Sequence, residues 1–535
     1  LMRSSAASDV YKRQHFLQAA GLNILVDCGM EQGNDVYENQ ELPIAASDVD
    51  CILLTHAHID HSGLIPLMYV NGFRGQVYST SATAQLCEIM LRDSAHIQMF
   101  EAEWRNRKAA RSGGKLKEFV PLYDMDAAVN VCKQFVGCEY DRVYDIAEGI
   151  KIRFTDVGHL LGSASIEVWA TEKTENGDVT EKIVFSGDIG NINKPIIKDP
   201  KHVRDADYVV MESTYGNRSH GGTPNYVEDL TDIFKRTFER GGNVVIPSFA
   251  VGRTQELLYI IRKIKEDNLV GRDFDVYMDS PLAIEATNIF IKNVESCFDD
   301  DAVELVRKGI NPLSFPGLKY ATTGDESKQI NFDPNPKVII SSSGMCEAGR
   351  IRHHLKHNLW RPECTIVFVG YQAVGTTGRI IVDGAEEIKL FGEPIQIKAE
   401  IVQLKGSSGH ADKDGLLCWI NAFDTKPKKV FVVHGEDSVC DEFTECLKEE
   451  YGYDAMAPYT GGSYDLIADR VISEGVKERK TRRTTSTQRG KTVFDRLVAA
   501  GKRLMTVITH NEGGTNKDLA KFTDQINALC DKWDR

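Results

Sequence analysis

Short apolar runs that end in a ligand-type side chain recur along the first part of the chain. Leu22-Asn-Ile-Leu-Val-Asp27 reads as a buried strand closing on a carboxylate, and Cys51-Ile-Leu-Leu-Thr55 as a strand running into His56. Lys151–Phe154 and Ile166–Ala170 are further strands, while Lys182–Phe185 and Tyr208–Met211 each lead straight into an acid, Asp188 and Glu212. In layered α/β proteins, sites form just past strand ends. A different texture starts near residue 206. Val227, Leu230, Ile233, Phe234 and Phe238 recur at helical spacing and stop at Gly241-Gly242. A strand (243–246), a Ser/Gly-bearing loop (247–252) and a helix (253–265) follow, and this grammar repeats at 338–350 and 365–378. It predicts an α/β unit with a parallel sheet. From about residue 395 the strand-then-polar text returns, in 397–404 and in Lys429–Val433 before His434.

The expected organisation is a leader over 1–14, a first domain over 15–205 that resumes over 395–468, an insert over 206–394, and a basic extension over 469–535. The leader has basic residues but no apolar stretch, which excludes a signal peptide and suggests a non-native start. Between Lys477 and Arg503 ten Lys/Arg face Glu478 and Asp495, a local net charge of +8. That tail reads as a linker with an amphipathic packing element, or as an RNA-contacting or homodimer-forming extension. The segment from His96 to Lys117 reads as a solvated helix hairpin, with a lid over a cleft as the alternative.

Charge and cysteine usage narrow the chemistry. The chain has 535 residues, 64 Lys/Arg and 78 Asp/Glu, a net charge of −14. A whole-surface basic field for nucleic acid is excluded, so such binding needs a local patch or metal ions. Twelve cysteines stand singly without a close pair, which argues against a thiolate zinc site and for reduced thiols in the cytoplasm. No apolar run is long enough to span a bilayer.

The densest chemical signal is His56-Ala-His58-Ile-Asp60-His61, four ligand-type side chains directly after a strand. A loop there can turn His56 and His58 to one metal and Asp60 and His61 to another, whereas a regular helix would scatter them. His159 between glycines, Asp188 as a carboxylate able to bridge two ions, and His434 at a strand end complete a two-metal set. Imidazole and carboxylate without thiolate suit Zn²⁺ in an open, hydrolytic site.

The hexad, Asp27, His159 and Asp188 resemble the motifs of the metallo-β-lactamase superfamily over about residues 20–468. The resemblance implies an α/β fold, a metallo-β-lactamase αββα sandwich, holding two Zn²⁺. It assigns His56, His58 and His159 to one ion, Asp60, His61 and His434 to the other, Asp188 to both, and Asp27 to an orienting position behind the ligands. Glu212-Ser-Thr-Tyr-Gly216, Ser408-Gly-His410-Ala-Asp412 and His434-Gly-Glu436, with the insert between Asp188 and His410, resemble the β-CASP branch, the nucleases of nucleic-acid processing. The insert is then the β-CASP domain, and a histidine at position 434 implies an RNA substrate. Within that branch the motifs resemble those of bacterial and archaeal ribonucleases akin to the endonuclease subunit of the cleavage and polyadenylation specificity factor.

These readings predict a zinc-dependent ribonuclease, endo-acting with 5′-exonucleolytic action left open, that cleaves by a two-metal-activated hydroxide and, by the resemblance, leaves 5′-phosphate and 3′-hydroxyl ends. Asp60, Asp188, Glu212 and His410 are the expected catalytic residues, with His410 as general acid and Glu212 as its partner. Single-stranded RNA is expected against Ser248, Phe249, Arg253, Ser341, Ser342, Gly344 and Met345, loop hydroxyls and N–H groups before helices with two side chains able to press on bases. The competing reading is a hydrolase or nuclease of the same fold acting on DNA or on a small ester or thioester.

Overall fold

The computed structural model describes residues 2–4, 14–30, 44–111, 119–175, 177–219, 221, 225–404, 408–475, 493–512 and 515–533. Two sheets form the first domain. One has eight strands in the order Arg470–Ser473, Gly462–Asp465, Met2–Ser4, His15–Ala19, Leu22–Val26, Cys51–Leu53, Gln76–Thr80, Phe135–Cys138. The other has seven, in the order Ala455–Met456, Lys429–Val433, Tyr208–Glu212, Gly177–Phe185, Ala164–Thr174, Ile150–Asp156, Val143–Ala147.

Alternation along the strands stacks these sheets. Ile24 and Val26 pack in one apolar cluster with Phe154, Ile166, Ile183, Phe185 and Phe431 of the other sheet. Leu25, between them, joins Ile52, Val77, Leu86 and Val131 in a second cluster under the helices Ser81–Arg111 and Met125–Cys132. On the far side Val184, Val209, Met211, Val430 and Val432 meet Trp419, Phe443 and Leu447 of the helices Lys413–Ile420 and Asp437–Glu449. The period of two therefore sends successive residues to two cores, giving four layers: helix, sheet, sheet, helix. Each fully buried Val, Ile, Leu or Phe contributes about 1.5–3 kcal/mol.

Tyr208–Glu212 and Lys429–Val433 are neighbouring parallel strands, with Glu212 opposite Val433. The chain between them builds a separate six-stranded sheet, all parallel: Leu318–Tyr320, Asp275–Asp279, Lys337–Ser341, Val244–Pro247, Thr365–Phe368, Glu400–Gln403. Val244 and Ile246 face Phe234, Leu258 and Ile261, while Val245 and Ile339 face Leu355 and Ile381, so helices cover both faces. The periodicity expected for 227–238 corresponds to the helix Tyr226–Glu239 and that for 253–265 to Arg253–Glu266.

Three elements differ from the sequence expectation. Residues 96–111 continue the helix Ser81–Arg111, so the expected hairpin does not start at His96; residues 112–117 of that segment lie outside the described residues. Of the leader, Met2–Ser4 pairs antiparallel with His15–Leu17 and with Gly462–Tyr464; residues 5–13 lie outside the described residues. The tail holds two helices, Val493–His510 and Asn516–Trp533, while 476–492, the core of its basic run, also lie outside them. Among the described residues no helix is long and apolar enough to cross a membrane.

Candidate metal centre

Every ligand-type residue sits just past the end of a strand. Asp27 follows Leu22–Val26, the His56–His61 hexad follows Cys51–Leu53, His159 follows Ile150–Asp156, and Asp188 follows Gly177–Phe185. Glu212 ends its strand and His434 follows the neighbouring one. Hydrogen bonds thread the chain after Asp27 through the hexad: Cys28 N to His61 O at 2.6 Å, Met30 N to Ile59 O at 2.9 Å and Leu64 N to Cys28 O at 2.9 Å. His58 is the cap of a short helical turn, Ile59–Ser62, so the hexad starts extended and then coils. This break sends His56 and His58 one way and His61 the other.

Asp188 stands at the centre. Its Oδ2 lies 3.4 Å from His56 Nε2 and 3.6 Å from His159 Nε2, and its Oδ1 lies 3.2 Å from His61 Nε2 and 3.5 Å from His434 Nε2. His58 Nδ1 lies 3.0 Å from His56 Nε2 and 3.3 Å from His159 Nε2. Ligand atoms of His56, His58, His159 and Asp188 lie within 4.8 Å of one another, as do those of Asp60, His61 and His434. A tetrahedron with metal–ligand bonds of about 2.0–2.1 Å has edges of about 3.3–3.4 Å, so these spacings fit a divalent ion in each group with Asp188 shared. Burial pushes the His56 and His159 imidazoles well below their ordinary pKa and His58 down to about 4. All three are then neutral at pH 7, the form that ligates.

The nitrogens facing away from the cage are held. His61 Nδ1 lies 2.7 Å from Asp27 Oδ2, and Asp27 accepts from Thr55 N and Thr55 Oγ1, each at 2.8 Å. His434 Nδ1 meets Thr214 Oγ1 at 2.8 Å and His159 Nδ1 meets Gly409 O at 3.2 Å. Asp27 and His434 both take positive φ, 59° and 53°, a backbone cost that recurs where side chains must be aimed. Thr55 carries no sequence signal beyond adjacency to His56, and Thr214 none beyond its place in the Glu212–Gly216 motif. Lys194 is a further residue the motifs do not reveal. Its Nζ donates to His159 O at 3.0 Å and pairs with Glu256 of the insert at 3.2 Å.

His410 flanks the cage. Its Nδ1 lies 3.1 Å from Glu212 Oε2 and its Nε2 3.9 Å from Asp188 Oδ2. Burial alone would raise the Glu212 carboxyl, but contact with His410 pulls it below its ordinary value. Glu212 Oε1 also accepts from Ile189 N at 2.5 Å.

The cage opens into a cleft of about 2170 Å³ between the two domains, lined by His58, Asp60, His159 and His410 and by Phe249, Arg253, Ser342 and Met345 of the insert. The structure places the other expected contacts behind that wall. Ser248 and Ser341 are buried, and their hydroxyls donate to Phe249 O at 3.3 Å and Asp279 O at 2.9 Å. Gly344 backs the Phe249 ring, where a Cβ would approach Cδ2 to 3.1 Å. On the opposite wall the helix Ser81–Arg111 presents Ile97, Phe100 and Trp104.

Family models match three stretches: a metallo-beta-lactamase superfamily domain over residues 16–191, a Beta-Casp domain over 254–381 and a Zn-dependent metallo-hydrolase RNA specificity domain over 394–458. The chain is 34% identical over 433 residues to "Ribonuclease TTHA0252" of Thermus thermophilus, a match covering 81% of this chain and 92% of that one. It is 32% identical over 450 residues to "Transcription termination factor FttA" of Methanosarcina mazei, covering 81% of this chain and 66% of that one, so the chain spans just under two thirds of that relative's length. Insert topology, strand-end ligands and these matches agree: the chain belongs to the β-CASP ribonuclease family of the metallo-β-lactamase superfamily, metal-dependent hydrolases.

Proposed function

We propose that the chain is a two-zinc ribonuclease that hydrolyses single-stranded RNA in RNA processing or decay in the cytoplasm, leaving 5′-phosphate and 3′-hydroxyl ends. The observation that carries this reading is the split of Asp188, one oxygen toward His56 and His159 and the other toward His61 and His434, at the floor of an interdomain cleft. Twelve unpaired cysteines suit a reducing compartment.

His56, His58, His159 and Asp188 would hold one ion, and Asp60, His61, His434 and Asp188 the other. The pair supplies Lewis acidity and a nucleophile at neutral pH. Asp27 keeps the proton of His61 on Nδ1, leaving Nε2 free to ligate. Glu212 does the same for His410: it holds Nδ1–H and leaves Nε2 directed at the cage side of the cleft. Protonated His410 then gives its Nε2 proton to the leaving 3′ oxygen, with the Glu212 carboxylate stabilising the imidazolium. Arg253, Ser342, Phe249 and Met345, on the cleft wall of the 206–394 insert, hold the strand.

The test is metal analysis beside an RNA cleavage assay for wild type, Asp188→Ala and His410→Ala. Asp188→Ala is expected to lose both metal and cleavage, and His410→Ala to keep its metal and lose rate. Undiminished cleavage in either variant overturns these roles.

A further inference from the structure

The strands Glu387–Leu390 and Glu393–Gln396 form an antiparallel hairpin in which Leu390 pairs with Glu393. Its loop is therefore two residues, Phe391 and Gly392, with φ of 51° and 88°. Two successive positive φ values define the type I′ turn, whose first central position favours Asn, Asp or Gly. A phenylalanine there opposes the local preference. It also leaves the ring 46% exposed at the hairpin tip. Two costs at one residue, conformational and solvational, point to a job for the ring rather than for the fold.

The surroundings say what that job is. Phe391 stacks on the exposed imidazole of His353, with ring centres 4.4 Å apart and planes 25° from parallel. The Arg352 guanidinium lies 4.9 Å from the ring centre. Arg352 Nε is buried without a hydrogen-bond partner. Neither Arg352 nor the exposed Lys389 makes an ion pair among the described residues. All four side chains line the same cleft as His58, Asp60, His159 and His410. In a chain of net charge −14, two cations without carboxylate partners beside an exposed ring pair form a site for an anion that carries a flat group.

We propose that Arg352, His353, Lys389 and Phe391 form a nucleotide-docking subsite on the insert, where a phosphate of the RNA strand meets the two cations and its base packs against the Phe391–His353 ring pair. The subsite rests on the ribonuclease reading and deepens it. The strand is held by the insert at this second point while its scissile phosphate lies at the metal centre. Stacking is sequence-tolerant because every base has a π-face, so the subsite selects unpaired strands over duplexes and not one base over another.

The experiment measures binding of a fluorescent single-stranded RNA to the full chain with metal chelated, and cleavage of long and short RNAs with metal restored. Phe391→Asn suits the type I′ turn better than the native residue, so it is expected to melt no lower than wild type while binding the long RNA about five-fold or more weakly. Phe391→Trp is expected to restore binding. Arg352→Gln with Lys389→Gln is expected to flatten the salt dependence of binding. Cleavage of oligonucleotides too short to bridge hairpin and metals is expected to be unchanged in every variant. Wild-type binding and an unchanged salt slope in these variants, or equal loss on short and long RNA, overturn the subsite while wild-type cleavage still stands. Absence of cleavage by the metal-loaded wild type sinks the ribonuclease reading instead. RNA binding untouched in all variants alongside selective loss of an acidic protein would assign the patch to a protein partner and overturn the proposal.

Discussion

Glu212 Oε2 lies 3.1 Å from His410 Nδ1, although 198 residues separate the two in sequence. One residue ends Tyr208–Glu212 in the seven-stranded sheet, and the other follows Glu400–Gln403, an edge strand of the six-stranded sheet. In the proposed mechanism the carboxylate keeps a proton on Nδ1 and leaves Nε2 toward the cleft. A general acid contributes about 10²–10⁴-fold. His410→Ala is expected to slow RNA cleavage by about that factor at unchanged metal content. Replacing the leaving 3′ oxygen by sulfur, which departs without protonation, is expected to shrink the deficit. An undiminished deficit on the sulfur substrate would remove the acid role.

Asp27 controls the other face of the site. Its Oδ1 accepts from Thr55 N at 2.8 Å and its Oδ2 lies 2.7 Å from His61 Nδ1. In Asp27→Asn, one orientation of the amide sets an N–H against the Thr55 N–H. The other drives the His61 proton onto Nε2, the ligating atom. Either outcome weakens ligation, and loss of such a partner costs about 10–100-fold in metal affinity. Competition with a chelator of known affinity measures it. Wild-type affinity in Asp27→Asn would show that His61 is oriented by something else.

The clustering of the candidate ligands was legible because metal chemistry restricts residue type: few contexts place His-Ala-His-Ile-Asp-His after an apolar strand. The parallel insert was legible for a similar reason, since buried strands and amphipathic helices alternate from Tyr226 to Phe368. What escaped has no local pattern. Thr55, Thr214 and Lys194 act through hydrogen bonds to partners far away in sequence, which only the fold brings together. Ser248 and Ser341 lie in loops that look alike in sequence to those facing solvent, yet they point inward: Ser248 Oγ donates to Phe249 O and accepts from Thr254 Oγ1, and Ser341 Oγ donates to Asp279 O. The second half of the helix Ser81–Arg111 has an apolar stripe, Ile97, Phe100 and Trp104, but it lines the cleft instead of a core, so periodicity alone does not tell a cleft wall from a packed face.

Gly29 shows how tightly the hexad is packed. A Cβ at this position would lie 1.4 Å from Asp60 O, and that atom is backbone. Gly29→Ala must therefore displace the turn that presents Asp60 and His61. A loss above about 3 kcal/mol is expected, together with lower metal content. Gly21 is the control: its φ is +75° but a Cβ there would meet nothing within 4 Å, so Gly21→Ala is expected to cost only about 1 kcal/mol. Chemical denaturation with metal analysis separates the two. Equal losses would mean that crowding at Asp60 is not the governing effect.

Asp156 closes the strand that precedes His159, and burial pushes its carboxyl up to about 7, against hydrogen bonding from Gly158 N at 3.0 Å. An unfolded aspartate titrates near about 3.9. Between about pH 4 and about pH 7 the folded chain thus keeps a proton that the unfolded chain has released. The stabilisation is complete below about pH 4, falls as pH rises through this window and is gone above about 7, an effect on the order of 4 kcal/mol. Asp156→Asn mimics the protonated acid, keeps an acceptor for Gly158 N, and removes the titration. Urea unfolding from about pH 4 to about pH 8 is expected to show wild type losing stability relative to the variant as pH rises. The metal ligands are common to both proteins and cancel in the difference. Parallel curves over that range would mean that the Asp156 carboxyl is ionised throughout.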